Sequence, residues 1–341
     1  MSQENIDKKI LKALAEFSLD LTGKTVLTEA ASGNYASTCV IASLAGAEVY
    51  AYTKNSRYAT VQEVKNQVNA LASKLGALRG IRIIESFDGL DLRNIDIVTN
   101  TGFLRPLDSA FVNRLSRKCV IPLMWEPWEY RPNELDLDAC AAKGIKVYGT
   151  NESDPRLRTM EYMGYVLLRI LLNNGFSPLG SRLLILGCER FVVPALSVLK
   201  NSGYAVRAVT DYSEKIDSPE DYDAFILLEH ERNLPLIGGR GAYLNVADIP
   251  ASALIVHICG NIDKKDLSSS RIIPENPALF GHMSFSTDYA DPKAVVDLHT
   301  AGLKVAEGML EANTLGLQGT EYRDFMEKNY PALSFDNPQY W

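Results

Sequence analysis

The sequence lacks the long apolar segments and the long basic segments that would place the protein outside the soluble globular class. None of its apolar stretches approaches the roughly 18 residues of a membrane span. The amino-terminal segment MSQENIDKKILKALAEF is polar and then amphipathic, so it does not have the apolar core of a secretory signal. No run of five Lys or Arg residues occurs, and the net charge of −7 disfavours a general nucleic-acid binder. We therefore expect a soluble, cytoplasmic protein with neither a membrane nor a nucleic-acid partner.

Cysteine is scarce and widely spaced. The five cysteines form no C-x-x-C pair, which is the spacing that would indicate a tetrahedral zinc site. Four of them lie in or beside apolar runs, where a free thiol behaves as a small hydrophobic group. We expect reduced core thiols and no metal site.

Short apolar runs alternate with helical patterns along most of the chain. This alternation predicts βαβ units, a mostly parallel sheet and helices on both of its faces. Helices are predicted at about 36–44, 61–75, 108–117, 160–174, 188–201 and 292–311. Strands are predicted at 25–31, 48–53, 81–86, 95–101, 119–125, 145–151, 181–187, 205–211, 224–230 and 253–260.

These elements predict an α/β protein with two doubly wound parallel sheets of Rossmann or flavodoxin type and a cleft between them. Residues 1–152, completed by the helix 292–312, would form a substrate domain. Residues 153–291 would form a nucleotide-binding domain. The tail 313–341 has a loop-like pattern, but its aromatic content predicts that it packs on its own subunit or on a partner.

The turn after the strand 181–187 has the layout of a dinucleotide-binding βαβ unit, because a helix and a second strand ending in Asp211 follow it. Its fingerprint needs three glycines, and only Gly187 is present; Glu189 and Val192 occupy the other two positions. A carboxylate at Glu189 would repel phosphates and add bulk where glycine normally fits. The layout therefore indicates a Rossmann-type domain more strongly than it indicates bound NAD. Asp211 would hold ribose hydroxyls or would simply end the strand in a turn.

Two loops of the first domain are candidate binding sites. Ser32 and Asn34 follow the first strand and would expose backbone N–H groups to an anion, or would only start a helix. The loop MWEPWEYRP (124–132) is the most site-like segment, because its tryptophans can wall a pocket and its charged residues can orient polar groups. Packing alone is the alternative for this loop.

Histidines near strand ends and before the last helix are candidate acid–base groups. His282 lies in the loop before the last helix and would act near neutral pH, or would be structural. His257 and Cys259 share one face of a strand, and His230 ends another.

The order and spacing of several segments resemble the D-2-hydroxyacid dehydrogenase family over residues 94–312. Glu161 stands where the family begins its long helix, and Gly187, Arg190 and Asp211 match its cofactor loop. The segments that carry the resemblance are IDIVTNTGFLRPLDSAFVNRL, NELDLDACAAKGIKVYGTNES, MEYMGYVLL, GSRLLILGCERFVVPALSVLKNSGYAVRAVTDY and ALFGHMSFST.

The resemblance implies NAD or NADP as cofactor, a homodimer through the nucleotide domain, and a set of site residues. His282 would be the acid–base residue, and Glu275 is the acid that could stand in as its partner. The implied cofactor residues are Gly187, Cys188, Glu189, Arg190, Phe191, Asp211, His230, Cys259 and Gly260. The candidate substrate residues are Trp125, Glu126, Trp128, Glu129, Ser32, Asn34, Gly102 and Arg105.

This sequence departs from the family at the catalytic arginine. The strand 253–258 is followed by Cys259, Gly260 and Asn261, which cannot grip a carboxylate as arginine does. Arg131 or Arg105 would have to replace it. Three hypotheses follow: an NAD(P)-dependent oxidoreductase of a small polar carbonyl or hydroxy substrate, a non-redox enzyme or binding protein on the same fold, and a structural subunit that binds a partner through its tail.

Overall fold

The computed structural model describes residues 5–267 and 271–335 of the chain. The chain divides into two compact units: unit 1 comprises Met1–Leu157 and Pro292–Trp341, and unit 2 comprises Arg158–Asp291. Unit 2 begins five residues after the boundary expected at 153, because the intervening segment is bonded to unit 1. Leu157, for example, packs with Phe17 and with Ala301 in one buried apolar cluster.

Unit 1 is a seven-stranded sheet with helices on both faces. Its helices are α1 (Ile6–Phe17), α2 (Ser37–Leu44), α3 (Val61–Leu75), α4 (Ser109–Val112), α5 (Leu137–Lys143), α8 (Lys293–Thr314) and α9 (Gly319–Asn329). Its strands are β1 (Thr25–Glu29), β2 (Glu48–Tyr52), β3 (Ile81–Ile84), β4 (Ile97–Val98), β5 (Val120–Pro122), β6 (Lys146–Thr150) and β14 (Ala332–Leu333). The strand order is β3-β2-β1-β4-β5-β6-β14, and every pairing is parallel except that of β14 with β6.

The two faces of this sheet bury alternate residues of each strand, as a pleated strand requires. Val26 of β1 and Ala30, which directly follows β1, belong to the core beneath α1, α2 and α8. Leu27 of β1 belongs to the core on the opposite face. Gly302 of α8 allows that helix to approach the sheet closely, since a Cβ there would lie 2.7 Å from the Met124 sulfur.

The carboxy-terminal segment does not form the loop-like tail expected from its sequence. It forms α9 and the antiparallel edge strand β14, and it belongs to unit 1. Tyr322 and Met326, four residues apart, are its buried residues, and Tyr330 packs on α8 where Gly308 has no side chain. The predicted packing of the tail on its own subunit is therefore observed up to Phe335. Tyr340 and Trp341 lie outside the described residues.

The helix predicted at 108–117 is much shorter in the structure. Asp108 caps α4 by accepting from the Phe111 N–H at 2.8 Å, but the helix ends at Val112. The N–H groups of Arg114 and Leu115 donate to carbonyls three residues back, so the chain tightens into turns.

Unit 2 has a five-stranded parallel sheet with the order β13-β11-β9-β7-β8 and a small pair of strands. Its helices are α6 (Thr159–Asn173) and α7 (Glu189–Asn201). Its strands are β7 (Arg182–Gly187), β8 (Ala205–Val209), β9 (Ala224–Leu228), β10 (Pro235–Ile237), β11 (Leu254–Cys259), β12 (Asn261–Ile262) and β13 (Arg271–Ile273). Two doubly wound parallel sheets confirm the predicted α/β class.

Helices α6 and α7 pack closely against each other through a glycine. A Cβ on Gly164 would lie 2.6 Å from the Val198 Cβ, so only glycine fits this crossing without a shift. In the part of the chain that the structure describes, no helix is both long and apolar enough to span a membrane.

Candidate functional site

The carboxyl edge of the unit 1 sheet carries a buried row of hydroxyl groups. Thr99 donates to the Thr28 hydroxyl at 2.7 Å, and its oxygen lies 3.1 Å from that of Thr101. These residues lie at the ends of β1 and β4, the two strands between which the strand order reverses. Ligands of open α/β sheets bind outside the strand ends at such a reversal. This edge is therefore the first candidate site.

Glu29 ends β1 at the same edge and is only 6% exposed. Its carboxylate accepts from the Phe103 N–H at 2.9 Å. Burial raises the pKa of the Glu29 carboxyl, against the opposing effects of that hydrogen bond and of the positive charges on Arg105 and Lys54. A carboxyl with a raised pKa can exchange protons closer to neutral pH. Glu29 is not among the site residues predicted from the sequence, although its place at a strand end was an available signal.

Arg105 is held beside this acid in a fixed orientation. Its guanidinium carbon lies 4.2 Å from the centre of the Trp125 ring. Nε and Nη2 donate to the Asn100 carbonyl at 3.3 and 3.0 Å, and Nη1 lies 2.7 Å from the Glu134 carboxylate. These contacts use three of the five N–H donors of an arginine. No described residue accepts a hydrogen bond from the two remaining N–H groups of Arg105.

The loop from Trp125 to Arg131 is fixed by the buried side chain of Glu126. Its carboxylate accepts from the Trp128 indole N–H at 2.7 Å and from the Glu152 N–H at 3.0 Å. Glu126 therefore serves the packing of the loop, which favours that alternative over substrate binding for this residue. Arg131 lies 3.2 Å from Glu134, the residue that also pairs with Arg105.

The turn that contains Ser32 and Asn34 connects β1 to α2. Gly33 has a φ of +66°, and its N–H donates to the Gln67 side chain at 2.9 Å. The Ser32 side chain makes no capping hydrogen bond, so a simple capped helix start does not explain it. The N–H groups of Ala31 and Ser32 donate to no described residue, as an anion site would require. Gly102, another predicted substrate residue, is exposed in the turn that leads to Arg105.

The turn of unit 2 that follows Gly187 is filled by its own side chains. A Cβ on Gly187 would lie 2.4 Å from the Leu228 carbonyl, so packing alone explains this glycine. The Cys188 N–H donates to that carbonyl at 3.2 Å. Glu189 is the first residue of α7, so an acidic residue stands at the helix N-terminus, where a pyrophosphate binds in a dinucleotide-binding unit. These residues do not fit a dinucleotide phosphate.

Cys188 and His230 form a pair at the reversal of the unit 2 sheet, between β7 and β9. The Cys188 sulfur lies 2.9 Å from His230 Nδ1, and the Phe191 ring packs at 4.4 Å from the imidazole. Burial raises the pKa of Cys188 to about 11, and burial together with Arg190 lowers that of His230 to about 4. With Glu231, they place three ligand atoms within 4.8 Å of one another. They could hold a soft divalent metal if it displaced the thiol proton.

The end of β8 is also closed by a polar network. Asp211 is exposed, and its carboxylate accepts from the Ser213 N–H two residues on, at 2.9 Å, as a turn aspartate does. The neighbouring Tyr212 donates to the fully buried Glu229 at 2.9 Å, and Arg232 binds the same carboxylate. The carboxylates at the ends of β8 and β9 are therefore both bonded to protein groups in this unit. Sequence patterns did not indicate this network, because the burial of Glu229 depends on the position of β9 in the middle of the five-stranded sheet, and a local pattern does not show that position.

His282 and Glu275 are exposed residues of unit 2, and among the described residues no ion pair joins them. The buried histidine in this region is His257, with Nδ1 at 2.7 Å from the Ser284 hydroxyl and Nε2 at 3.0 Å from the Gly260 carbonyl. Burial lowers its pKa. Cys259 is buried as well, so the position of the family's arginine holds a core residue here.

Comparisons with known proteins find similarity in fold and not in sequence. No protein-family model matches the chain, and no curated protein matches it significantly. One component of the dipicolinate synthase from Bacillus halodurans aligns over 82% of this chain and 96% of its own at 11% identity, with a TM-score of 0.55. The equivalent dipicolinate synthase polypeptide from Bacillus subtilis aligns over 87% and 99% at 13% identity, with a TM-score of 0.56.

A NAD-dependent formate dehydrogenase from Staphylococcus aureus, solved in complex with NAD, aligns over 88% of this chain and 98% of its own at 11% identity, with a TM-score of 0.41. At such identities, similarity establishes a fold and does not establish an activity. The chain therefore shares its fold of two parallel sheets with the two dipicolinate synthase chains, and this is the α/β fold class predicted from the sequence.

Proposed function

We propose that the protein is an NAD(P)-dependent oxidoreductase that acts on a small polar substrate with a carbonyl or hydroxyl group. The observation that carries the proposal is that the positively charged Arg105 lies near enough to the buried carboxyl of Glu29 to act on its pKa, at the reversal of the unit 1 sheet. A hydride transfer needs a cation that polarises the carbonyl and a group that supplies or accepts a proton. The fixed guanidinium and the desolvated carboxyl meet these two needs.

Arg105 takes the role that the family's missing arginine would have. Stacking on Trp125 and the bonds to Asn100 and Glu134 fix the guanidinium plane. Its two remaining N–H donors can bind a substrate oxygen or carboxylate. Lysine could not reproduce this, since an ammonium group neither stacks in a plane nor presents a fork.

Glu29 would supply the proton when a carbonyl is reduced and accept it when a hydroxyl is oxidised. Burial raises the pKa of the carboxyl and so keeps part of it protonated nearer to neutral pH. A nicotinamide dinucleotide, when bound, would supply the hydride. The acid–base role of His282, with Glu275, stays a prediction, as do the cytoplasmic location and the homodimer through unit 2.

A test is to add NAD⁺, NADH, NADP⁺ and NADPH separately to the full chain and follow its thermal unfolding. A ligand at a concentration of one hundred times its Kd raises the free energy of unfolding by about 2.7 kcal/mol. This raises the unfolding temperature by several degrees. Oxidation of the reduced cofactor is then followed with short 2-oxo acids. Arg105→Lys should reduce turnover about 100-fold or more, in line with the loss of a charge-assisted bidentate contact.

The matched control is Arg117→Lys, which makes the same exchange on an exposed residue of unit 1. Its activity should equal that of the parent. No thermal shift with any of the four dinucleotides would contradict the proposal.

The second candidate is a non-redox enzyme or binding protein on the same fold. The specific observation in its favour is the turn of unit 2, where the acidic Glu189 begins α7 and the Glu229 carboxylate is already bound by Tyr212. Binding of a 2-oxo acid without binding of any dinucleotide would favour this candidate. Gain of dinucleotide binding in Glu189→Gly would favour it as well.

A further inference from the structure

The carboxyl edge of the unit 2 sheet brings together three side chains of the kinds that bind transition metals. Cys188 directly follows β7, and His230 and Glu231 follow β9, the neighbouring parallel strand. The carboxyl ends of these two strands meet at the reversal of the sheet. One sulfur, one imidazole nitrogen and one carboxylate oxygen of these residues therefore lie within 4.8 Å of one another.

We propose that unit 2 binds a zinc ion through the Cys188 thiolate, the His230 imidazole and the Glu231 carboxylate. The inference goes beyond the proposed function and does not depend on it. It departs from the expectation of no metal site, which was based on the lack of a C-x-x-C pair. Ligands that come from two separate strands leave no such spacing in the sequence.

The distance between sulfur and nitrogen is close to the one that a shared metal ion requires. Cys188 Sγ lies 2.9 Å from His230 Nδ1. A tetrahedral zinc ion, about 2.3 Å from sulfur and about 2.1 Å from nitrogen, holds these two atoms about 3.6 Å apart. The pair has to open by about 0.7 Å, which a small side-chain rotation achieves. Glu231 is exposed, so its side chain has room to turn towards the ion.

The charges of the three ligands match those of a divalent cation. A thiolate and a carboxylate supply two negative charges, and the imidazole binds as a neutral group. Zinc displaces the thiol proton, which passes to the solvent, so the bound site has no net charge of its own. Arg190 acts on His230 and favours the neutral imidazole that a metal needs. Its positive charge also repels a metal ion, and the two anionic ligands offset this repulsion.

The backbone around the ligands is fixed by hydrogen bonds before any ion binds. The buried carboxylate of Glu229 accepts from the N–H groups of Glu231 at 2.9 Å and Arg232 at 3.0 Å, so it holds the turn after β9. On the other strand, the Cys188 N–H donates to the Leu228 carbonyl at 3.2 Å. Outer contacts of this kind orient metal ligands and raise the affinity of a site.

Three protein ligands leave one tetrahedral position open. Zinc sites that take part in catalysis keep such a position for water or for a substrate oxygen. A phosphate oxygen also fits this position, and the charge of the ion would offset that of Glu189, which begins α7 beside Cys188. Zinc and a dinucleotide are therefore not mutually exclusive at this edge of unit 2.

The test is calorimetric titration of the full chain with Zn²⁺, after removal of bound metal with a chelator. We expect one Zn²⁺ per chain with a Kd of about 1 μM or less. A large excess of Mg²⁺ should not displace it, because Mg²⁺ prefers oxygen ligands and an octahedral site. Co²⁺ is a second probe, since a thiolate bound to Co²⁺ gives a charge-transfer band in the near ultraviolet. That band should appear in the parent chain and be absent from Cys188→Ser.

Substitution of the ligands should weaken Zn²⁺ binding in proportion to what each supplies. Loss of a group that only orients a ligand costs about 10–100-fold, so Cys188→Ser and His230→Gln should each cost at least about 100-fold. Glu231→Gln should cost about tenfold, and because Glu231 is exposed this variant tests the site even if a buried substitution prevents folding. The matched controls are Cys140→Ser in unit 1 and Glu220→Gln, which precedes β9 in unit 2. Both should bind Zn²⁺ as the parent does.

Three outcomes would overturn the inference. They are no Zn²⁺ binding by the parent chain, an affinity that is unchanged in both Cys188→Ser and Glu231→Gln, and a Co²⁺ band that persists in Cys188→Ser. The titrations contain neither a dinucleotide nor an oxo acid. Failure of the zinc site would therefore leave the proposed oxidoreductase untouched, and a missing thermal shift with the dinucleotides would leave the zinc site untouched.

Discussion

The free energy of unfolding should depend on pH through the buried carboxyl of Asp297 in α8. Lys293, one turn earlier, contacts one carboxylate oxygen, and the other oxygen has no partner in the described structure. Burial raises the pKa of Asp297 from 3.8 to about 6, although the contact with Lys293 opposes the shift. Glu16 and Lys12 of α1 also act on this carboxyl, in opposite directions.

The sign follows from which state binds the proton. Between pH 4 and 6, roughly, the folded chain retains a proton on Asp297 that the unfolded chain releases, so the free energy of unfolding falls as the pH rises. The contribution is fully present below the unfolded pKa and is lost above the folded one. A shift of about two pKa units at about 1.4 kcal/mol each gives a loss of about 3 kcal/mol.

Urea unfolding of the parent and of Asp297→Asn at half-unit steps from pH 4 to 8 measures this loss. Relative to the parent, the variant should gain about 3 kcal/mol over that range, because asparagine does not ionise. Asp324→Asn is the control, since the Asp324 side chain is 69% exposed on α9. A constant difference between parent and Asp297→Asn, or one that falls with pH, would refute the reasoning.

Three further outcomes are expected. Gly164→Ala should lower the free energy of unfolding, measured in urea, by about 1–3 kcal/mol, because the new Cβ overlaps α7. The control Gly180→Ala should change this free energy little, because a Cβ there meets only an ordinary contact at 3.7 Å. Tyr212→Phe should lower the free energy of unfolding by about 1–2 kcal/mol, since the buried Glu229 loses a donor. A neutral result would show that Arg232 and the Glu231 N–H satisfy the carboxylate without it. Light scattering should give the mass of a dimer. If the surface around Leu179 of unit 2, which is 93% exposed, forms the dimer interface, Leu179→Glu should shift the measured mass towards that of a monomer.

The class of fold could be predicted from local patterns because each strand carries its own signal. Apolar runs separated by helical repeats are sufficient to predict parallel sheets, and the turn after Gly187 is sufficient to predict a doubly wound unit. The helix α9 was missed because it buries only Tyr322 and Met326, too few for a helical repeat to stand out. The end of α4 could not be predicted, because the spacing of apolar residues does not show where the helical hydrogen bonds give way to bonds between residues three apart.

The candidate site was only partly predictable, for a physical reason. Arg105 and the Ser32–Asn34 turn could be selected because they follow strands. The role of Glu29 depends on β1 lying between β2 and β4, and this order is a long-range property that no local window contains. For Glu126 the sequence leaves substrate binding and packing open, because it does not show that the carboxylate accepts from an indole of the same loop.

The return of the chain to unit 1 has a consequence for synthesis. Helix α8 supplies Val296, Leu303 and Met309 to the core of a sheet whose parallel strands are all made before residue 151. On the ribosome, that sheet has α1 and α2 on this face but lacks the apolar cover of α8 while the whole of unit 2 is translated and can complete its own core. The nascent amino-terminal half is therefore the portion most exposed to aggregation, and a chaperone that binds apolar surface should associate with it until α8 emerges.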